Sequence, residues 1–130
     1  MHKVIATVFA VALLSNCAPA VDYSGPIANA VPVSASIKSQ IVRDARDLLL
    51  DPYSIRDAEI SGVATFADGS QGVCVKANAR NAMGGYSGRQ SMAINIRNGV
   101  LVGHTDDSPL CARPDVTYQP FPELEALANL

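Results

Sequence analysis

"VCVKANARNAMGGYSGRQSMAINIRNGVLVGH", residues 73–104, carries two alternating runs separated by a glycine-rich stretch. In the first, Val73, Val75, Ala77 and Ala79 alternate with Cys74, Lys76, Asn78 and Arg80. In the second, Met92, Ile94 and Ile96 alternate with Ser91, Ala93, Asn95 and Arg97. A period of two places one apolar face and one polar face on each run, which predicts two half-buried strands. Asn98-Gly99 then supplies the residues of a tight hairpin turn before a third strand, "VLVGH", 100–104. Upstream, "DAEISGVATF" (57–66) and the turn-forming "ADGSQG" (67–72) predict one more strand. The expectation is an antiparallel meander of about four strands with one apolar face.

An apolar sheet face needs a cover, and the residues ahead of it provide one. From Ser36, the residues Ile37, Ile41, Ala45, Leu48 and Leu49 recur at spacings of three and four, with Lys38, Gln40, Arg43, Asp44, Arg46 and Asp47 between them. That is an amphipathic helix of about fourteen residues, capped by Ser34 or Ser36 and ended by Asp51-Pro52, because the residue before proline avoids the helical region. Near the end of the chain, "PFPELEALANL" (120–130) predicts a short helix with Pro122 in its first turn and Leu124, Leu127 and Leu130 on one side. The fold class is therefore α+β: an N-terminal amphipathic helix packed on a small antiparallel meander, followed by a less regular C-terminal segment.

At 130 residues, 48% of them hydrophobic, the chain forms one domain at most and can bury a core. A net charge of −2 gives no basic excess of the kind that draws proteins to nucleic acid. The first residues stand apart from this domain. His2 and Lys3 precede an uncharged, mostly apolar run from Val4 to Leu14, too short to span a bilayer as a helix and suited to an export signal. Two processing sites follow it. Ala18-Pro19-Ala20 fits ordinary signal peptidase, whereas Leu14-Ser15-Asn16-Cys17 resembles a bacterial lipobox, with Asn16 where a small residue is usual.

An exported chain normally pairs its thiols, and the three cysteines are Cys17, Cys74 and Cys111. Pairing Cys74 with Cys111 leaves Cys17 for the lipid, although cleavage after Ala20 would also remove the odd thiol. By resemblance to the sorting rule of enteric lipoproteins, Ala18 after the cysteine implies the outer membrane. A chain beginning at Cys17 keeps nine Lys and Arg against twelve Asp and Glu, so acyl chains and not a basic patch would hold it to lipid. The organisation expected is a signal at 1–16, a lipidated Cys17 with a flexible tether at 17–35, and a single α+β domain at 36–130. Eighteen flexible residues span about 23 Å.

Between the two alternating runs lies "NARNAMGGYSG", 78–88. It lacks the Lys-Ser/Thr of a phosphate loop, and its glycines stand between strands, with no following helix to aim at an anion. Two readings stay open. Asn78, Arg80, Asn81, Tyr86 and Arg89 have the ring, amides and cations that bind a glycan or a peptide; alternatively, the glycines supply positive φ and the amides satisfy the backbone of a long turn. The polar strand face offers a further surface, where Lys76, Arg80 and Arg97 with Asn78 and Asn95 would form a basic, amide-rich patch for an anionic envelope polymer.

"DPYS" (51–54) followed by "CVKANARNAMGGYSG" (74–88) resembles a family of small proteobacterial envelope proteins of uncharacterised function. Its members carry Asp-Pro-x-Ser and then Cys-Gly-x-x-Asn-Ala-Lys-Asn-x-x-Gly-Gly-Tyr-x-Gly. Cys74, Asn78, Ala79, Asn81, Gly84, Gly85, Tyr86 and Gly88 match that pattern, Arg80 replaces its Lys, and Val75 stands where the family has Gly. The resemblance covers roughly residues 45–111 and implies an envelope protein without implying an activity.

Catalytic constellations are sparse. His104 is the one histidine beyond the signal, and no serine lies in a G-x-S-x-G elbow, so a Ser-His hydrolase has neither its elbow nor a paired base. "HTDD" (104–107) offers too few ligands for zinc. Asp44/Asp47 and Asp57/Glu59 could serve acid–base work, but the first pair lies beside Arg43 and Arg46 on a polar helix face. The expectation is a non-enzymatic, lipid-anchored envelope protein, with no cofactor or metal, whose domain contacts another envelope protein or a cell-wall polymer. The alternative is a secreted or periplasmic binding module, a glycan or peptide binder or a hydrolase inhibitor, acting through the 81–88 loop.

Overall fold

The structure, a computed structural model, describes residues 20–130. The expected signal and the expected lipidation position, Cys17, lie outside the described residues. The amphipathic pattern folds as a helix, Ala35–Leu48, numbered α2 because a short helix, α1 (Ser24–Ala28), precedes it. The Ser34 hydroxyl caps α2 by accepting the Ile37 N–H at 3.3 Å. Leu49 is already extended, two residues before Asp51, which sits ahead of Pro52. Ile37 and Ile41 are buried in the main core, with Val42, Ala45 and Leu49 packed against its edge.

The sheet is antiparallel and has six strands rather than four: β1 (Arg56–Ser61), β2 (Ala64–Thr65), β3 (Gln71–Asn78), β4 (Gln90–Arg97), β5 (Val100–Asp106) and β6 (Tyr118–Pro120). Their order is β5-β4-β3-β1-β6, with β2 paired to β3. The expected meander is present as β1, β3, β4 and β5, in the register that pairs Val75 with Met92 and Val73 with Ile94. The turn between β4 and β5 uses Asn98 at φ 52° and Gly99 at φ 74°, the left-handed pair of a tight hairpin.

Two features explain the added strands. The single strand expected at 57–66 divides at Gly62, where another part of the chain crosses. A Cβ on Gly62 would stand 3.0 Å from both the Ala30 Cβ and the Val31 carbonyl oxygen. Val31 and Val63 exchange backbone hydrogen bonds of 3.1 and 2.7 Å beside it. β6 comes from the Pro-rich tail and pairs with β1 at the sheet edge, where Pro120 costs no ladder bond on its outer side. The tail then turns at Phe121 into α3 (Pro122–Glu125) and a 3-10 turn, burying Phe121, Leu124 and Leu127. Leu130, expected on the same side, is exposed.

Both sheet faces are covered. On one, Val73, Val75, Ile94, Ile96 and Ile60 meet α2 and the C-terminal helix in the main core. On the other, Cys74 and Ala93 join Leu110 and Cys111 in a second, smaller core, flanked by Tyr23, Ile27, Phe66 and Tyr118. The Cys74–Cys111 disulfide lies at its centre. Part of the stretch read as a tether is thus folded onto the domain, since Tyr23 and Ile27 at α1 flank this second core and Val31 bridges Val63. With no sustained period in that stretch, nothing in the sequence marked Tyr23 and Ile27 as the apolar pair that flanks the second core. No helix among the described residues is long and apolar enough to cross a membrane.

Candidate binding site

The glycine loop is built by its own amides. The Asn81 side-chain oxygen accepts the Met83 N–H at 3.0 Å and the Gly85 N–H at 3.2 Å. The Asn81 N–H donates to the Gly85 carbonyl, and Gly84 N–H to the Asn81 carbonyl. Gly84 and Gly88 take φ values of 77° and 100°, open to glycine and strained for other residues. The loop is moored to the "DPYS" turn through Ser54. Its hydroxyl donates to the Asp51 carbonyl at 2.7 Å and accepts the Arg80 N–H at 2.8 Å, while its carbonyl accepts the Tyr86 hydroxyl at 2.7 Å.

The residues nominated for binding are therefore largely engaged within the protein. Tyr86 is half-buried, and the Arg56 guanidinium lies 3.6 Å from its ring centroid, occupying a face that a sugar would stack on; Arg80 is 5.7 Å away. Arg89 pairs with Glu59 at 2.6 Å. Asn78 is 7% exposed, and its side-chain oxygen is buried without a hydrogen-bond partner among the described residues. Met83 at the loop tip is 93% exposed. The proposed basic patch does not gather in one place. Lys76 lies over the Tyr118 ring at 4.0 Å, and Arg97 stands six strand residues beyond Ser91, the partner of Lys76, or about 20 Å along β4.

Beside this loop the structure opens a groove that sequence reasoning assigned to the core. The C-terminal half of α2 overhangs the sheet, leaving about 670 Å³ between the helix, β3, β4, β5 and the end of the glycine loop. Its walls include Ala45, Leu48, Val75, Ala77, Met92 and Leu101. Leu48 has the spacing of a core residue yet is 63% exposed, because it lines the open groove instead of closing on the sheet. The run Leu48-Leu49-Leu50 was the available signal: three consecutive leucines cannot all point to one side of a helix. Asp44, Asp51, Asp106 and Asp107 stand around the groove, with Arg80 and His104. The volume falls within the range of small-ligand and peptide side-chain pockets, about 300–1,000 Å³.

His104 and Asp106 of the "HTDD" stretch lie on β5 and line the groove. Among the described residues, no group of three His, Cys, Asp or Glu side chains is placed to hold a metal ion. Compared with models of protein families, with curated proteins and with solved structures, the chain shows no match.

Proposed function

We propose that the chain is an exported, lipid-anchored protein of the bacterial cell envelope, without catalytic activity, whose domain contacts another envelope component. The observation that carries the interaction part is the open apolar groove on a domain whose other layers are closed. A rigid concave surface of this size, apolar with a few convergent polar groups, has the character of a binding site. Export is supported by the N-terminal sequence together with a disulfide, a bond that persists in oxidising compartments. The contact between "DPYS" and the glycine loop supports reading the two halves of the family-like motif as one structural unit.

The test is the intact mass of the chain from its native host, before and after reduction, followed by crosslinking from the groove in native membranes. The expected chain begins at Cys17, carries acyl groups and gains about 2 Da when the disulfide is reduced. A chain beginning at Val21 without lipid overturns the anchor. Crosslinks from Leu48 that are absent from Asp68, across the molecule, support the groove as the contact surface. A second reading has its own observation: Met83, almost wholly exposed at the tip of a self-braced loop, suits insertion into a partner such as a hydrolase cleft. Under that reading Met83→Ala abolishes the crosslinked complex and groove substitutions leave it intact.

A further inference from the structure

We propose that the groove takes an extended peptide segment bearing apolar side chains and Lys or Arg, and that this segment adds as a strand to the open edge of β5. The inference rests on the domain being an interaction module, and it does not depend on the lipid anchor. Three observations lead to it. Among the described residues β5 is the outermost strand, with no strand paired beyond it, and such an edge presents backbone groups ready to pair with another chain. The Asp107 N–H donates to the Ser91 carbonyl at 3.0 Å, so Asp107 faces β4. By alternation, the backbone groups of Asp106 and His104 point outward.

The second observation is that the protein already pairs the other end of this edge with a side chain. The Gln40 amide donates to the Gly99 carbonyl at 2.9 Å and accepts the Leu101 N–H at 3.3 Å. These are the two bonds that an adjoining strand would make. Gln40 therefore occupies the edge where α2 crosses it and leaves free the part beside the groove. A peptide paired there runs past His104 and Asp106 and projects alternate side chains over Met92 and Leu48.

Charge selects the class of peptide. Four carboxylates, Asp44, Asp51, Asp106 and Asp107, stand around an apolar floor against Arg80, whose guanidinium is near the Tyr86 ring. An acidic or phosphorylated segment meets repulsion here, and a purely apolar one leaves the rim unanswered. A second copy of the chain is a poor occupant, because pairing two β5 edges through His104 and Asp106 crowds four carboxylates together.

The experiment titrates the full chain, disulfide intact, with capped fluorescent nonapeptides and reads anisotropy. The first probe, TKTLTLTKT, places Lys-Leu-Leu-Lys on one face of a strand; TETLTLTET replaces the lysines by glutamates. Two further versions of the first carry N-methyl groups on one or the other alternate set of backbone amides. The lysine peptide is expected to bind about tenfold tighter than the glutamate peptide at low salt, the sum of two partly exposed ion pairs and their reversal. Methylating one alternate set should abolish binding while methylating the other is tolerated, the signature of a strand with one paired edge. In the exposed double variant Asp44→Lys/Asp106→Lys, with an unchanged circular dichroism spectrum, the preference between the two peptides inverts. Equal binding of both peptides, indifference to both methylation patterns, absence of binding, or self-association of the chain that competes with the probe each overturns the proposal. An unlipidated mass overturns only the anchor, and a failed titration overturns only the strand-addition site.

Discussion

Ser54 is the residue on which the two motif-bearing segments meet, and its neighbourhood makes the first prediction. Tyr86→Phe removes the bond to the Ser54 carbonyl and should cost about 1 kcal/mol. Tyr86→Ala also removes a half-buried ring and should cost about 2 kcal/mol, less than a fully buried aromatic. Urea unfolding followed by far-UV circular dichroism reads both, and trypsin should cut at Arg80 and Arg89 faster in Tyr86→Ala alone. A single-residue effect of the opposite kind belongs to Tyr118, whose hydroxyl donates to the Cys111 carbonyl at 2.7 Å. Burial, and then the Glu59 carboxylate, hold this phenol above its ordinary value of 10.0. The folded chain keeps the proton where the unfolded chain has lost it, so this contribution is intact below pH 10 and declines as pH rises from there through the folded value. Tyr118→Phe should therefore be less stable by about 1 kcal/mol at pH 7, yet lose less than the parent between pH 10 and 11. At this scale the turn residues were legible: Gly84, Gly88, Asn98 and Gly99 take the positive φ that their chemistry favours. The partners of Tyr86 and Arg89 were not, because Arg56, Ser54 and Glu59 are distant in sequence and meet them only through the β1–β3 pairing.

Among the elements, those with a sustained period were readable and those held by a partner were not. α2 and the strands β3, β4 and β5 each carry enough alternating or helical repeats to declare a buried face. β2 has two residues, β6 three and α1 five, too few for a period, and each exists through pairing or packing with something else. Gly62 shows the difference: nothing local distinguishes it from a strand glycine, yet the crossing of Ala30 and Val31 requires the absence of its side chain. The cysteine pairing was legible from counting, and the disulfide joins β3 to the segment that leads into β6. With a sequence separation of 37 it limits the unfolded chain, and on the chain-entropy estimate this contributes about 4 kcal/mol. Cys74→Ala/Cys111→Ala also empties the centre of the second core, so its urea midpoint should fall by at least the equivalent of 3 kcal/mol in circular dichroism. A loss below 1 kcal/mol would mean that α1 and Tyr118 hold the second layer without the clip.

For the whole molecule, the second layer fixes how an anchored domain would stand on a membrane. α1 begins at Ser24, seven residues after Cys17, and a chain of that length reaches at most about 25 Å. Eighteen residues would reach at most about 65 Å, so any lipid leash would be shorter than the sequence suggests, because Tyr23 and Ile27 already belong to the folded body. α1 lies on the sheet face opposite α2, so a lipid on Cys17 draws the disulfide layer toward the bilayer and turns the groove away from it. The groove was the least legible part of the site, since its wall residues share their period with the true core and only the overhang of α2 separates the two. The orientation follows from α1 and α2 lying on opposite sheet faces and gives the last prediction. On nanodiscs carrying a gadolinium chelate on their lipid headgroups, resonances of the exposed Ala28 should broaden strongly in the lipidated chain, whereas those of Leu48 and Val102 remain sharp. Equal broadening on both faces would mean that the domain tumbles freely about its leash. Stronger broadening at Leu48 would place the groove on the lipid and make the bilayer, rather than a basic peptide, its occupant.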